Sequence, residues 1–327
     1  MCYVYSMLSL RWNRFAYLGC ALWFLWAAPP VAPQGTAPAG PDAPFFKAYR
    51  HSDAITKWPL NKTLHEIPQL SGLEPATDQS RLPEILRRVA ENLQNFITNF
   101  VNTTSLETIE ETRKEKHGGS EEQIVQQFRY LMLAQQEGNA QSLIEYRTDL
   151  HGREEDSRNP MGNFLKTTGF ASMPLFFGPL QQPWSDFRYL GEQSIGGRRT
   201  EVVAFAEHIE PEAVMGHFAI GRESVPILLQ GVAWIHSTDY QVLQMRTDLL
   251  APQPGVALRR TTTVALFAGI QFQSGPTAFW LPQEVDVTVE RGNYIFANRQ
   301  RYSDYRLFKV DVSQPVPGPD PTPAQHP

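Results

Sequence analysis

The stretch FRYLGEQSIGGRRTEVVAFAE, residues 187–207, decides how this chain is read. Two alternating runs meet at Gly196-Gly197, a pair that accepts positive φ without a Cβ clash, so the stretch predicts a β-hairpin. In the first run Phe187, Tyr189 and Ile195 are assigned to one face and Asp186, Arg188, Glu192 and Ser194 to the other, with Leu190 interrupting strict alternation. In the second run Val202, Ala204 and Ala206 share a face while Val203 and Phe205 take the opposite one. A strand that is apolar on both faces belongs to a sheet covered on both sides.

The same rhythm extends outward. TSLETIEETRKE (104–115) and QIVQQFRYLML (123–133) flank the turn residues KHGGS, and SLIEYRTDL (142–150) follows QEGN. The second of these carries Gln, Leu and Met, which favour helix, but the flanking turns make it a strand. After a polar loop over 207–226, ILLQGVAWIHSTDYQVLQMRTDLL (227–250) turns at Ser237 to Asp239, and VALRRTTTVALFAGIQF (256–272) follows. In EVDVTVERGNYIFANRQRY (284–302) Val285, Val287 and Val289 alternate with charged and hydroxyl residues up to the turn Arg291-Gly292-Asn293. Successive hairpins predict an antiparallel meander of about eight to eleven strands, a size at which sheets curl into a barrel or stay open around a helix.

Two segments break the strand period. From Leu82 to Phe100, the residues Leu82, Ile85, Leu86, Val89, Leu93, Phe96 and Ile97 recur at three- and four-residue steps opposite a polar face of mixed sign, predicting an amphipathic helix. Ser80 is the expected N-cap, Pro83 fits the first turn and Asn102 ends the helix. The mixed-sign face favours core packing over a membrane-lying role. The second break, GNFLKTTGFASMPLFFGPL (162–180), is apolar and cut by Gly169, Pro174, Gly178 and Pro179. It predicts a short helix and a turn covering the sheet, as a lid over a cavity or as a plug in the core. The fold class is thus α+β, mainly β: a curved antiparallel sheet or incomplete β-barrel with an N-terminal helix and a short apolar lid or plug.

Arg11 and Arg14 precede FAYLGCALWFLWAA (15–28), an apolar run that suits a signal-peptide core and is shorter than the roughly 20 residues of a spanning helix. Export to a periplasmic or extracellular location follows, with cleavage expected within or just after Ala27 to Gly40, where Ala37-Pro38-Ala39 is the best small-x-small triplet; an uncleaved membrane anchor is the alternative. Cys20 lacks the leucine that a lipoprotein cleavage box carries three residues upstream. Cys2 and Cys20 are the only cysteines, so a cleaved chain has neither a disulfide nor a thiolate. Residues 1–39 are therefore read as signal peptide or anchor and 40–79 as a Pro-rich linker draped on the domain. Residues 80–312 form the β-barrel domain and 313–327 a disordered Pro-rich tail. The Asn-x-Thr triplets at Asn61 and Asn102 are read as chance occurrences.

An N-terminal amphipathic helix, long hairpins such as FRYLGEQSIGGRRTEVVAFA and GVAWIHSTDYQVLQMRTDLL, a short apolar interruption and an exported, cysteine-poor chain together resemble the LolA/LolB lipoprotein-carrier family over roughly residues 80–310. The resemblance implies an open barrel that holds lipid or lipoprotein acyl chains against its concave face, with a membrane-associated envelope partner as a further candidate. On that reading Phe164, Phe170, Met173, Phe176 and Phe177 of the interruption, with Phe187, Tyr189 and Trp234 of the sheet, would contact the ligand. A structural or sensory envelope module with a filled core and no ligand is the alternative.

No catalytic apparatus is expected. The chain carries no G-x-S-x-G, Walker loop, H-E-x-x-H, or G-x-G-x-x-G after a strand. Its 8 histidines lack metal-ligand spacing, and only Glu207, His208, Glu210 and Glu212 beside His217 suggest an acid-base or metal cluster, against which a solvated loop is favoured. No cofactor is implied. A net charge of -5 gives no basic footprint for nucleic acid.

Overall fold

The computed structural model describes residues 2–6, 46–137, 140–153, 165–220, 223–272 and 278–308. The leader core, residues 40–45, Phe164 and the tail 313–327 lie outside them. In chain order the strands and helices are β1 (Cys2–Ser6), α1 (Leu60–Glu66), β2 (Glu74–Pro75), α2 (Leu82–Asn99), β3 (Thr103–Glu115), β4 (Glu121–Glu137), β5 (Ala140–Thr148) and β6 (Leu165–Thr167). They continue as β7 (Ser185–Ile195), β8 (Arg198–Glu207), β9 (Gly216–Ile220), β10 (Glu223–Ile227), β11 (Leu229–His236), β12 (Val242–Leu249), β13 (Leu258–Ile270), β14 (Phe279–Arg291) and β15 (Tyr294–Leu307).

Eleven strands form one antiparallel sheet in the order β2-β7-β8-β11-β12-β13-β14-β15-β3-β4-β5, and its two edge strands do not pair with each other. The sheet is therefore open, and its 11 strands fall in the range the hairpin count predicted, with the barrel left unclosed. The last strand, β15, lies beside β3, so the final hairpin is sewn to the first one. A second, four-stranded sheet has the order β10-β9-β1-β6. It replaces the polar loop expected over 207–226: Phe218 and Ile227 are buried there and draw β9 and β10 into pairing.

β8 shows why the hairpin decides the fold. Every residue from Thr200 to Glu207 is buried. Val203 and Phe205 face the main core with α2 and the apolar interruption. Val202 and Ala204 face a second core with Ile55, Ile67 and Leu70, and Ala206 faces a third with Phe46 and Tyr49. The assignment of Ile195 to the Phe187 face does not hold. Register shifts between Tyr189 and Gly191, so Leu190 keeps its side while Gly191 and the residues after it change theirs, and Ile195 packs with the second core. Gly191 sits at φ 135°, and a Cβ there would lie 2.0 Å from the Glu74 carbonyl oxygen, so the bulge is where β2 closes on the sheet.

Residues 46–79, read from composition as a linker, form the layer over this second face. Short 3-10 turns at Phe46–Tyr49, Ile55–Lys57 and Pro68–Leu70, with α1 between them, insert Phe46, Tyr49, Ile55, Ile67 and Leu70 against β7, β8 and β11. Polar bonds fix the layer: Ile55 N–H donates to Gln230 Oε1 at 2.7 Å, Leu228 N–H to the Tyr49 hydroxyl at 3.0 Å, and Gln193 Nε2 to the Gln69 carbonyl at 2.8 Å. The packed chain thus reaches back to Phe46, well before residue 80. Ile67→Val, which removes one methylene from this layer, is expected to cost about 0.5–1.5 kcal/mol in urea unfolding; a loosely draped linker would show no loss.

The helix falls where its periodicity places it, with Pro83 in the first turn. Its start differs in detail. Ser80 does not cap it, because both its N–H and its hydroxyl donate to Asp78 Oδ1, at 2.8 and 2.5 Å. Instead Arg81 ties the helix entrance to the sheet through Glu192 and the fully buried Glu201. At the far end Asn102 accepts the Ala134 N–H at 2.9 Å and aligns the start of β3 with β4. Ile85, Val89 and Leu93 are buried against the sheet, each contributing about 1.5–3 kcal/mol of apolar burial.

Candidate ligand site

The apolar interruption is a plug. Met173–Phe177 forms a 3-10 turn whose five residues are all buried, with Phe176 and Phe177 at 2% and 0% exposure. Phe176 lies 4.8 Å and Phe177 5.6 Å from the Phe205 ring, and Phe177 lies 5.2 Å from Phe187. Gln182 Nε2 donates to the Leu86 carbonyl at 2.9 Å and to the Phe177 carbonyl at 2.7 Å, locking the plug's exit to α2. Phe170, Met173, Phe176, Phe177, Phe187 and Tyr189 therefore do meet on the concave face, but they fill it. The Tyr189 hydroxyl donates to Glu201 Oε2 at 2.7 Å.

Trp234 is not part of that group. It pairs with Val202 across β8 and β11, so it shares that residue's face and packs with Leu70, Ala204 and Val232. Its indole N–H donates to Gln193 Oε1 at 2.8 Å. Its neighbours Ala233 and Ile235 are the residues that reach the concave core.

Open space lies beside the plug. A cavity of about 240 Å³ separates the second half of α2 from β12, β13 and β14. Val89, Leu93 and Phe96 line it from the helix, Ala171 and Pro174 from the back of the plug, and Phe267, Phe279 and Trp280 from the sheet. Its polar rim is formed by Asn92, Asn95, Asn99, Tyr240 and Gln241. Phe96, Phe100 and Phe279 form a ring cluster with centroid separations of 5.1–6.0 Å that shapes one wall. None of the seven described residues among the eight expected to touch a ligand lines this cavity. The signal that could have found it is the outward half of the helix's apolar stripe, Leu93 and Phe96, which exceeds what the plug alone can cover.

At the other end of the concave face a polar network is buried between β3, β4, β5 and β15. Arg147 forks onto Glu107, with Nη2 to Oε1 at 2.7 Å and Nε to Oε2, and Arg147 Nη2 also reaches Gln300 Oε1 at 3.1 Å. The Tyr302 hydroxyl donates to Glu107 Oε1 at 2.8 Å. Burial works against the Arg147 charge, and the Glu107 carboxylate outweighs it, holding the guanidinium above its ordinary value. Burial and then the Glu145 carboxylate push the Tyr130 phenol well up, while burial and then Glu107 do the same to Tyr302. Glu145 accepts from the Tyr130 hydroxyl, from Ser172 N–H at 2.9 Å and from the Ser172 hydroxyl at 2.5 Å, which fastens the plug's entrance to β5. Each carboxylate here accepts from donors on neighbouring elements and ties those elements together.

The Glu207 carboxylate is likewise tied to the backbone. Glu207 points inward and accepts the Met215 N–H at 3.0 Å and the Leu229 N–H at 2.5 Å. Burial raises its pKa well above the carboxylate range, against the lowering by those two N–H donors. His208 turns instead to Asp186, at 3.1 Å. Among the described residues no three His, Cys, Asp or Glu side chains converge to hold a metal.

The fold and cavity define an open, plugged antiparallel half-barrel with an apolar side pocket. No family model matches the chain, and no curated protein matches its sequence. Solved structures similar to it include one described as an outer membrane lipoprotein-sorting protein domain from Vibrio parahaemolyticus, at 13% identity over 71% of this chain and 94% of that one, with a TM-score of 0.37. A DUF1329 family protein from Desulfovibrio piger is similar at 10% identity over 71% and 94%, TM-score 0.34. A LolA superfamily protein from Nitrosomonas europaea is similar at 12% identity over 70% and 94%, TM-score 0.31. No helix among the described residues is long and apolar enough to cross a membrane.

Proposed function

We propose that the protein is a non-catalytic binding protein of the cell envelope that holds an apolar chain, of lipid or lipoprotein origin, in the cavity between α2 and β12–β14. The carrying observation is that cavity: apolar walls from Leu93, Phe96, Phe267, Phe279 and Trp280 beside the plug. Burial alone supplies the affinity, at roughly 25 cal/mol per Å² of apolar surface removed from water. Export is supported by Arg11 and Arg14 ahead of the apolar run 15–28. The polar networks around Glu107, Glu145 and Glu207 serve as braces in this reading, and no step of bond chemistry is assigned to them.

A second reading, a structural module that binds nothing, is favoured by one observation, the complete burial of Phe176 and Phe177. One variant separates the two. Leu93→Trp places a larger side chain into the cavity and costs about 1–3 kcal/mol if it overpacks. A fluorescent acyl probe is expected to bind the wild type saturably and the variant at least about tenfold more weakly, since that loss corresponds to about 1.4 kcal/mol of apolar contact. Absence of saturable binding by the wild type, or equal binding by a folded variant, would leave the structural module standing.

A further inference from the structure

We propose that the cavity takes a single-chain amphiphile with an anionic head, a long-chain carboxylate, and that Arg198 is the residue that selects the head. This rests on the cavity being an apolar-chain site.

Arg198 opens β8 directly after the glycine turn, and its side chain is exposed. The curl of the sheet brings its guanidinium to 5.8 Å from the ring centre of Trp280, a half-buried wall of the cavity. Among the described residues no carboxylate forms an ion pair with Arg198. The other arginines of the hairpin are engaged: Arg199 with Glu192, and Arg188 with the Trp58 carbonyl at 2.5 Å. A guanidinium over an aromatic face is positioned without being neutralised, so it can still pair with an anion that arrives beside Trp280. A carboxylate matches that fork with two oxygens.

The other charged groups around the mouth are already matched. Arg88 lies 5.3 Å from the Tyr240 ring centre, and its guanidinium is 4.0 Å from Glu84 and 3.8 Å from Glu91. Asp239 accepts from His236 Nδ1 at 2.7 Å and from the Gln241 N–H at 3.2 Å. The nearer rim is neutral amide, from Asn92, Asn95 and Asn99. Among the described residues Arg198 is therefore a charge without an ion-pair partner beside an apolar cleft, and the complementary ligand is apolar at one end and negative at the other. The cavity, about 240 Å³ and walled by one helix and three strands, is a single cleft, which suits one chain.

The test titrates cis-parinaric acid and the alcohol of the same chain into the full-length protein and into Arg198→Gln, following probe fluorescence at low salt, with urea unfolding of both forms. The wild type is expected to bind the acid about three- to tenfold more tightly than the alcohol, the range between an exposed ion pair and a charge-assisted hydrogen bond. Arg198→Gln should weaken the acid to the level of the alcohol and leave the alcohol unchanged, and salt should erase the wild-type preference. Equal binding of acid and alcohol by the wild type, or parallel weakening of both by the substitution, would overturn head selection while leaving the cavity reading intact. A preference for a lysophosphatidic acid over the fatty acid would also overturn it, by moving the head from carboxylate to phosphate. If neither probe binds, the cavity reading fails and head selection fails with it.

Discussion

Phe176→Ser combined with Phe177→Ser is expected to unfold the protein in buffer or close to it. Each large-to-small replacement in a packed core costs about 3–5 kcal/mol, and each buried hydroxyl without a partner adds more. The two losses are not fully additive, because both rings pack on Phe205. Even so, the sum approaches the about 5–15 kcal/mol that holds a typical domain together. Urea unfolding and near-ultraviolet circular dichroism measure it. A plug predicts loss of the near-ultraviolet signal; a lid over an empty space would tolerate both changes with a stability loss under about 1 kcal/mol per site, as exposed positions do.

Arg147→Met is expected to cost about 3–5 kcal/mol, because it strands the Glu107 carboxylate in the core without its partner. Glu107 is fully buried, and only the Tyr302 hydroxyl would remain on its Oε1. Replacing both partners, Arg147→Met with Glu107→Leu, should recover much of the loss, since no charge is then buried. A double variant no more stable than the single one would mean that the fork contributes through shape and not through charge.

The hairpin at 187–207 was legible because periodicity is local: the two-faced burial of β8 is written in alternate residues, as is the stripe of α2. What reached beyond one element was not legible. The bulge at Leu190 is visible as a break in alternation, but its consequence for Ile195 depends on Glu74 approaching Gly191 from more than a hundred residues away. Trp234 was placed on the wrong face because its side follows from its pairing with Val202, and pairing register is a property of two strands. Residues 46–79 lack any period, since Ile55, Ile67 and Leu70 each enter the second core from a separate turn, and composition alone then reads as linker. The Glu107–Arg147 fork joins residues 40 positions apart, both on strands whose charges look solvated in sequence. The cavity was missed for the same reason: Phe96, Phe279 and Trp280 come together only through curvature of the whole sheet.

The most direct measurement is photolabelling of the intact protein with a diazirine-bearing fatty acid, followed by mass-spectrometric mapping of the adducts. A chain held beside the plug should label α2 between Val89 and Asn99 and the start of β14 at Phe279 and Trp280, with competition by unlabelled acid. Labelling confined to Met173–Phe177 and Phe187, or no competable labelling anywhere, would contradict the account.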